Sequence, residues 1–156
     1  MSARAAVRLA MLGFPEVHRY TPGKADWAAA GLPLERPGDN RLRAADLARR
    51  DAPTCTLEDD LAAVRERVRG AGWDTCVVLD PEGVVVGRLG RAAIAAEDGR
   101  TVEEAMREGP GTLRPDVLLE EVVERLRARN LQTALVTTSD GKFLGVIRRD
   151  EAEAAL

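Results

Sequence analysis

Aromatic residues are scarce in this chain: two Trp, two Phe and one Tyr among 156 residues. The 45% hydrophobic content therefore rests on Ala, Val and Leu, which suits small helix-on-sheet layers. A positive excess is also missing. The net charge of −3 offers no basic field of the kind that holds nucleic acid. No apolar run approaches the roughly 18 residues needed to span a bilayer, so no membrane segment is expected. The opening MSARAAVRLAML has two arginines but neither a long uninterrupted apolar core nor a cleavage site, which argues against a signal peptide. The two cysteines lack metal-ligand spacing, so free thiols and a cytoplasmic location are expected. Also missing are a nucleophile–base pair, a metal cluster, a P-loop and a dinucleotide fingerprint. The expectation is a protein that is not an enzyme.

What is present is a repeat. Sliding residues 43–98 by 58 positions onto 101–156 gives 13 identities in 56 positions without a gap. They include Thr54/Thr112, Leu61/Leu119, Val64/Val122, Thr75/Thr133, Val78/Val136, Gly83/Gly141 and Gly87/Gly145. Helix-face aliphatics, a strand valine and glycines are matched, so the duplication is structural.

The chain divides on this basis into an extension (1–35), a polar linker (36–42) and two repeats (43–98 and 101–156). In the extension, residues 2–12 read as a helix capped by Ser2 and ended by Gly13. Glu16–Tyr20 reads as a strand, Thr21-Pro22-Gly23 as a turn and Ala25–Ala30 as a short helix. Each repeat opens with a helical lead-in (Ala44–Arg50; Val102–Arg107). A strand follows (Thr54–Thr56; Gly111–Arg114). Next comes an amphipathic helix, with Leu57, Leu61, Val64 and Val68 in one copy and Leu119, Val122, Val123 and Leu126 in the other. Gly72 and Asn130 stand where a left-handed residue ends a helix. The β-branched strands Thr75–Leu79 and Thr133–Thr137 lead through Asp80–Gly83 and Thr138–Gly141 hairpins into return strands Val84–Arg88 and Lys142–Ile147. Final helices run over Arg91–Ala96 and from Asp150 to the end. The fold class is α/β of the α+β type: two strand–helix–strand–strand–helix units related by a pseudo-two-fold, plus a short helical and extended N-terminal extension. One unit of about 45 residues buries little core, so two should pack face to face.

At this point the lead-ins AADLARRDAPTC and TVEEAMREGPGTL and the hairpins LDPEGVVVGRL and TSDGKFLGVIRRD resemble a tandem pair of CBS domains, the regulatory module named after cystathionine β-synthase. The resemblance covers residues 43–156. It implies an adenosine-containing ligand (AMP, ADP, ATP or S-adenosylmethionine) in the clefts between repeats, a homodimer built around a two-fold axis, and a regulated partner protein. The family's binding motif reads Gly-h-h-Thr/Ser-x-x-Asp, where h is apolar; its hydroxyl holds phosphate and its Asp the ribose. Here the first copy has Gly90 and Ala93 at those two positions. The second has an Asp, Asp150, one position early and no hydroxyl. By this resemblance a second-repeat site would use Thr112, Leu113, Ile147, Arg148, Arg149 and Asp150, and a first-repeat site Thr54, Cys55, Arg88 and Arg91. Alternatively Arg148–Asp150 is only a charged helix start with Asp150 as N-cap. The chain would then be a ligand-free interaction and dimerisation module.

The segment LGFPEVHRYTPGKADWAAAGLPLE is similar to the last third of a rhodanese-like domain. No cysteine precedes Cys55, so the extension reads as a docked relic rather than a sulfurtransferase, and a sulfur-transfer accessory role is the third alternative. Cys55 and Cys76 are expected to be buried thiols. His18 lacks partners for metal or catalysis. Trp27 and Trp73 read as packing residues. Glu58-Asp59-Asp60 favours a helix N-terminus, and Arg65-Glu66-Arg67 reads as a solvated helix face or dimer rim.

Overall fold

The computed structural model describes residues 3–18, 23–32 and 40–156. The elements in order are α1 (Ala3–Met11), α2 (Lys24–Ala29), α3 (Ala44–Leu47), β1 (Thr54–Cys55), α4 (Leu61–Gly70), β2 (Cys76–Leu79), β3 (Val85–Leu89) and α5 (Arg91–Ala95). They continue as α6 (Val102–Ala105), β4 (Arg107–Glu108), β5 (Thr112–Leu113), α7 (Leu119–Ala128), β6 (Thr133–Thr137), β7 (Phe143–Arg148) and α8 (Arg149–Ala154).

The two repeats pair their strands in the same register. Cα partners Thr54↔Val77 and Cys76↔Leu89 in one sheet become Thr112↔Leu135 and Ala134↔Ile147 in the other, each displaced by 58. The register irregularity also repeats, between Val78/Leu79 and between Val136/Thr137. The hairpins close as their composition demands: Gly83 (φ 82°) and Gly141 (φ 86°) supply the positive φ. Asp80 Oδ1 accepts from the N–H groups of Glu82 and Val84 at 2.9 and 2.8 Å. Gly72 (φ 71°) and Asn130 (φ 49°) follow α4 and α7 in left-handed conformation.

Each repeat's helix covers its own sheet. Leu61, Val64 and Val68 bury against Val77, Val78 and Leu89. Leu119, Val122, Val123 and Leu126 bury against Val136 and Ile147. Each such side chain contributes about 1.5–3 kcal/mol of burial. Leu57 departs from the expected stripe. It precedes α4 and is 38% exposed, because Asp60 caps the helix through Ala63 N–H at 3.1 Å and so starts it at Leu61. Arg65 departs further. Its side chain is buried rather than solvated, donating to the carbonyl oxygens of Ala93 and Asp98 and to Asp98 Oδ1 at 2.9, 3.1 and 2.7 Å. It ties α4 to the end of α5, and satisfied hydrogen bonds are what make such burial tolerable.

The lead-ins do not stay with their own repeats. β4 joins the first sheet, where Arg107 pairs with Arg88. Reciprocally, Arg49 bridges to Val146 of β7, with both N–H···O contacts at 2.9 Å. Ala44, Leu47 and Ala48 then join the second core, and Val102, Ala105 and Met106 the first. The repeated glycines Gly87 and Gly145 make room for these crossings. A Cβ at Gly145 would lie 2.8 Å from Arg49 O, and one at Gly87 2.3 Å from Met106 Sδ. The two hairpins also clasp each other across the pseudo-two-fold: Val85 N–H donates to Gly141 O at 3.1 Å, and Phe143 N–H to Gly83 O at 3.0 Å.

In the extension, Gly13 (φ 90°) follows α1, and the backbone over 16–18 forms no strand. Among the described residues no strand lies beside it to supply hydrogen-bond partners. Residues 19–22, which hold the rest of that expected strand and most of the expected turn, lie outside the described residues, as do 33–39 of the linker region. Gly31 (φ 72°) lies against β7, where a Cβ would come within 3.0 Å of Leu144 Cδ1. Among the described residues no helix is long and apolar enough to cross a membrane.

Candidate functional site: an open arginine cleft and its closed counterpart

Because the lead-ins cross, each repeat's lead-in lies beside the other repeat's return strand. This produces two equivalent places, one on each side of the pseudo-two-fold. One is an open cleft of about 470 Å³. Its walls are the lead-in segment Arg107 and Gly109–Leu113, the end of α7, the start of β6, and Arg88 from β3 of the first repeat.

Four arginines line this cleft, Arg88, Arg107, Arg125 and Arg129, and no acidic residue does. Arg125 is bonded to Glu121 one turn earlier on α7. Arg88, Arg107 and Arg129 form no ion pair within 4.0 Å among the described residues. Arg88 Nη2 donates to Thr133 Oγ1 at 2.7 Å, joining the two repeats. Its Nε is buried with no acceptor. Burial lowers the Arg88 pKa from its ordinary value, opposed by Asp74. Asp74 itself is paired with Arg91 at 2.6 Å. A buried unsatisfied donor costs about 1–3 kcal/mol, and a bound anion would remove that cost.

The counterpart is filled by side chains. Trp73, at the position of Leu131, is 6% exposed. The guanidinium of Arg49, at the position of Arg107, lies 5.3 Å from the Trp73 ring centroid. That of Arg148, at the position of Gly90, lies 4.9 Å from it. Cation–π contacts of this kind contribute about 0.5–1 kcal/mol each. Arg49 is also neutralised, by Asp51 at 2.5 Å and Glu151 at 2.8 Å. Those two carboxylates raise the Arg49 pKa, and Arg49 lowers that of Asp51. The same register separates the clefts at four positions: the counterpart has Trp73 for Leu131 and Arg148 for Gly90, and it has Val146 and Ala71 where the open cleft has Arg88 and Arg129.

The residues anticipated from sequence distribute differently from their grouping by repeat. Thr112 and Leu113 line the open cleft together with Arg88. Arg148 lies on Trp73, in the filled counterpart. Ile147 is fully buried in the second core. Asp150 is exposed inside the first turn of α8 and is not its N-cap, a position held by Arg148 without side-chain capping. The 58-residue register runs unbroken through this turn, so Glu151, not Asp150, stands opposite Ala93. Arg149 begins α8, its N–H donating to Gln132 O at 2.9 Å. Arg91 is exposed and pairs with Asp74. Thr54 sits in β1, its carbonyl accepting from Arg67 Nη2 at 2.8 Å.

Cys55 and Cys76 are buried free thiols on paired strands. Cys76 Sγ donates to Val77 O at 3.9 Å; the proximity of the two thiols lowers the Cys55 pKa and, with burial, pushes the Cys76 thiol up. His18 is exposed, 3.8 Å from Glu16. Among the described residues no group of three or more His, Cys, Asp and Glu could hold a metal ion. Sequence reasoning overlooked Arg107, Arg125, Arg129 and Thr133. The signal was available: Arg107 and Arg125 recur from Arg49 and Arg67, and Thr133 from Thr75.

Comparison with known proteins agrees with this geometry. Residues 102–155 match the family model described as CBS domain. Solved structures then extend the likeness across both repeats. The CBS domain pair of protein MJ0100, in complex with 5′-methylthioadenosine and S-adenosyl-L-methionine, superposes with a TM-score of 0.66 at 16% identity, over 74% of this chain and 95% of that one. The fold is that of a CBS-domain pair. CBSX2 in complex with AMP gives a TM-score of 0.66 at 18% identity, covering 72% of this chain and 94% of that one; CBSX2 comes from Arabidopsis thaliana. The cytosolic domain of the Mg2+ channel MgtE in complex with ATP gives 0.66 at 21% identity, over 73% of this chain and 48% of that one. This chain therefore spans about half the length of that channel domain. No curated protein matched the sequence.

Proposed function

We propose that this CBS-pair chain is a regulatory module that binds one adenosyl ligand per chain in the open cleft. The observation that carries this is the cleft itself: about 470 Å³, walled by both repeats, with the buried Nε of Arg88 awaiting an acceptor. Support comes from the three ligand-bound structures of the same fold, whose ligands all contain adenosine. Arg88 contacts Thr133 of the other repeat, so a ligand on Arg88 would bias how the repeats sit on each other. Differential binding of that kind is how a ligand changes the surface a partner sees. The proposal includes the two repeats at 43–98 and 101–156, a homodimer, a regulated protein partner and a cytoplasmic setting.

Thermal unfolding against AMP, ADP, ATP and S-adenosylmethionine tests the reading. A binder at 100 times its dissociation constant adds about 2.7 kcal/mol to the native state, a rise of several degrees. No rise with any of them removes the proposal. A second reading is a ligand-free interaction module. It draws on α1 and the residues just after its end, where Val7, Met11, Leu12 and Phe14 are 57–73% exposed. It predicts no ligand response, with loss of self-association or partner capture when those four are made polar.

A further inference from the structure

We infer that the open cleft selects its ligand by a phosphate chain and not by the sugar, so that it takes nucleoside di- and triphosphates with or without ribose hydroxyls and rejects cationic adenosyl compounds. This rests on the adenosyl-ligand reading above and narrows it.

The argument is an inventory of what the walls offer. Every charged side chain in the lining is an arginine. Three of the four, Arg88, Arg107 and Arg129, form no ion pair among the described residues, so the cleft carries uncompensated positive charge. Guanidinium groups bind phosphate oxygens with paired, charge-assisted hydrogen bonds. Several guanidinium groups facing one cleft match several phosphate oxygens better than a single one.

A vicinal diol needs the opposite chemistry, a carboxylate or amide oxygen that accepts from both hydroxyls. The lining holds no Asp, Glu, Asn or Gln. Its side-chain acceptors are two threonine hydroxyls, and that of Thr133 is already engaged by Arg88. Nothing on the walls is therefore built to read the sugar. A sulfonium or ammonium group would meet arginines with no anion to pair with, which is repulsive at short range. The filled counterpart makes the contrast: there Asp51 and Glu151 neutralise Arg49.

The test is competition binding on the full chain with ATP, 2′,3′-dideoxy-ATP, AMP, S-adenosylmethionine and inorganic triphosphate, repeated with Arg107→Met. ATP and its dideoxy form should bind within about threefold of each other. AMP should be at least tenfold weaker than ATP, and S-adenosylmethionine weaker still. Arg107 is exposed, so Arg107→Met should leave the melting temperature unchanged while weakening ATP at least fivefold. A tenfold loss on removing the hydroxyls, or S-adenosylmethionine binding as tightly as ATP, overturns this inference but leaves the adenosyl reading standing. Inorganic triphosphate binding as tightly as ATP supports the phosphate selection and removes the adenosyl reading. If none of the five binds, both are overturned.

Discussion

Trp73→Leu separates the two clefts by experiment. The substitution places in the filled counterpart the residue that the open cleft has at the equivalent position, Leu131. Trp73 is 6% exposed, so shortening it leaves a void. A full truncation of a buried Trp to Ala costs about 3–5 kcal/mol; leucine refills part of the space, which reduces this to about 2–3 kcal/mol. Two cation–π contacts, from Arg49 and Arg148, are lost as well and add about 1–2 kcal/mol. The total is about 3–5 kcal/mol, readable as a lower urea midpoint at unchanged slope. Arg49 keeps its Asp51 and Glu151 partners, so the counterpart should not become a phosphate site. Calorimetric titration of the variant with ATP should thus give the same single site with affinity within about twofold of the parent. An affinity loss of tenfold or more would mean that the ligand sits on Trp73, and the assignment of the clefts would be reversed.

Gly145→Ala should destabilise the fold by about 1–3 kcal/mol, since its Cβ would lie 2.8 Å from the Arg49 carbonyl oxygen and force the lead-in away from β7; urea unfolding reads this directly, and a neutral result would contradict the crossing described for the lead-in. Arg100, and then Arg65, hold the Asp98 carboxyl at about 2, below its ordinary 3.8. The stabilisation they provide is present above the ordinary carboxylate value and lost as pH falls through about 2, so Asp98→Asn should flatten the acid limb of stability between pH 4 and 2 and leave the pH dependence from 5 to 7 unchanged.

Much of the architecture was legible because a gapless repeat carries register with it. Once Thr75–Leu79 and Thr133–Thr137 are read as strands, the same 58-residue shift applies to their hairpins and to the residues that follow α4 and α7. The crossing of the lead-ins was not legible. A repeat says that two segments are equivalent but not which sheet each one joins, and the decisive contacts, Arg107 with Arg88 and Arg49 with Val146, join different repeats. Grouping candidate residues by repeat followed from that gap, and so Thr112 was placed with Asp150 rather than with Arg88. Asp150 was favoured by residue type, whereas the register points to Glu151. Arg65 shows the limit of charge patterning. It lies in an Arg-Glu-Arg run, yet its burial depends on Ala93 and Asp98, about thirty residues later. Trp73 was assigned to packing, but its place in a cleft required the fold.

The central claim is that the ligand belongs to the Arg88 cleft and not to the Arg148 counterpart. Equilibrium dialysis with ATP, comparing Arg88→Met and Arg148→Met with the parent, tests it most directly. Arg88→Met should weaken binding at least tenfold, and Arg148→Met should change it less than twofold while lowering the melting temperature through the lost contact with Trp73. Unchanged binding in Arg88→Met together with a large loss in Arg148→Met would contradict the account.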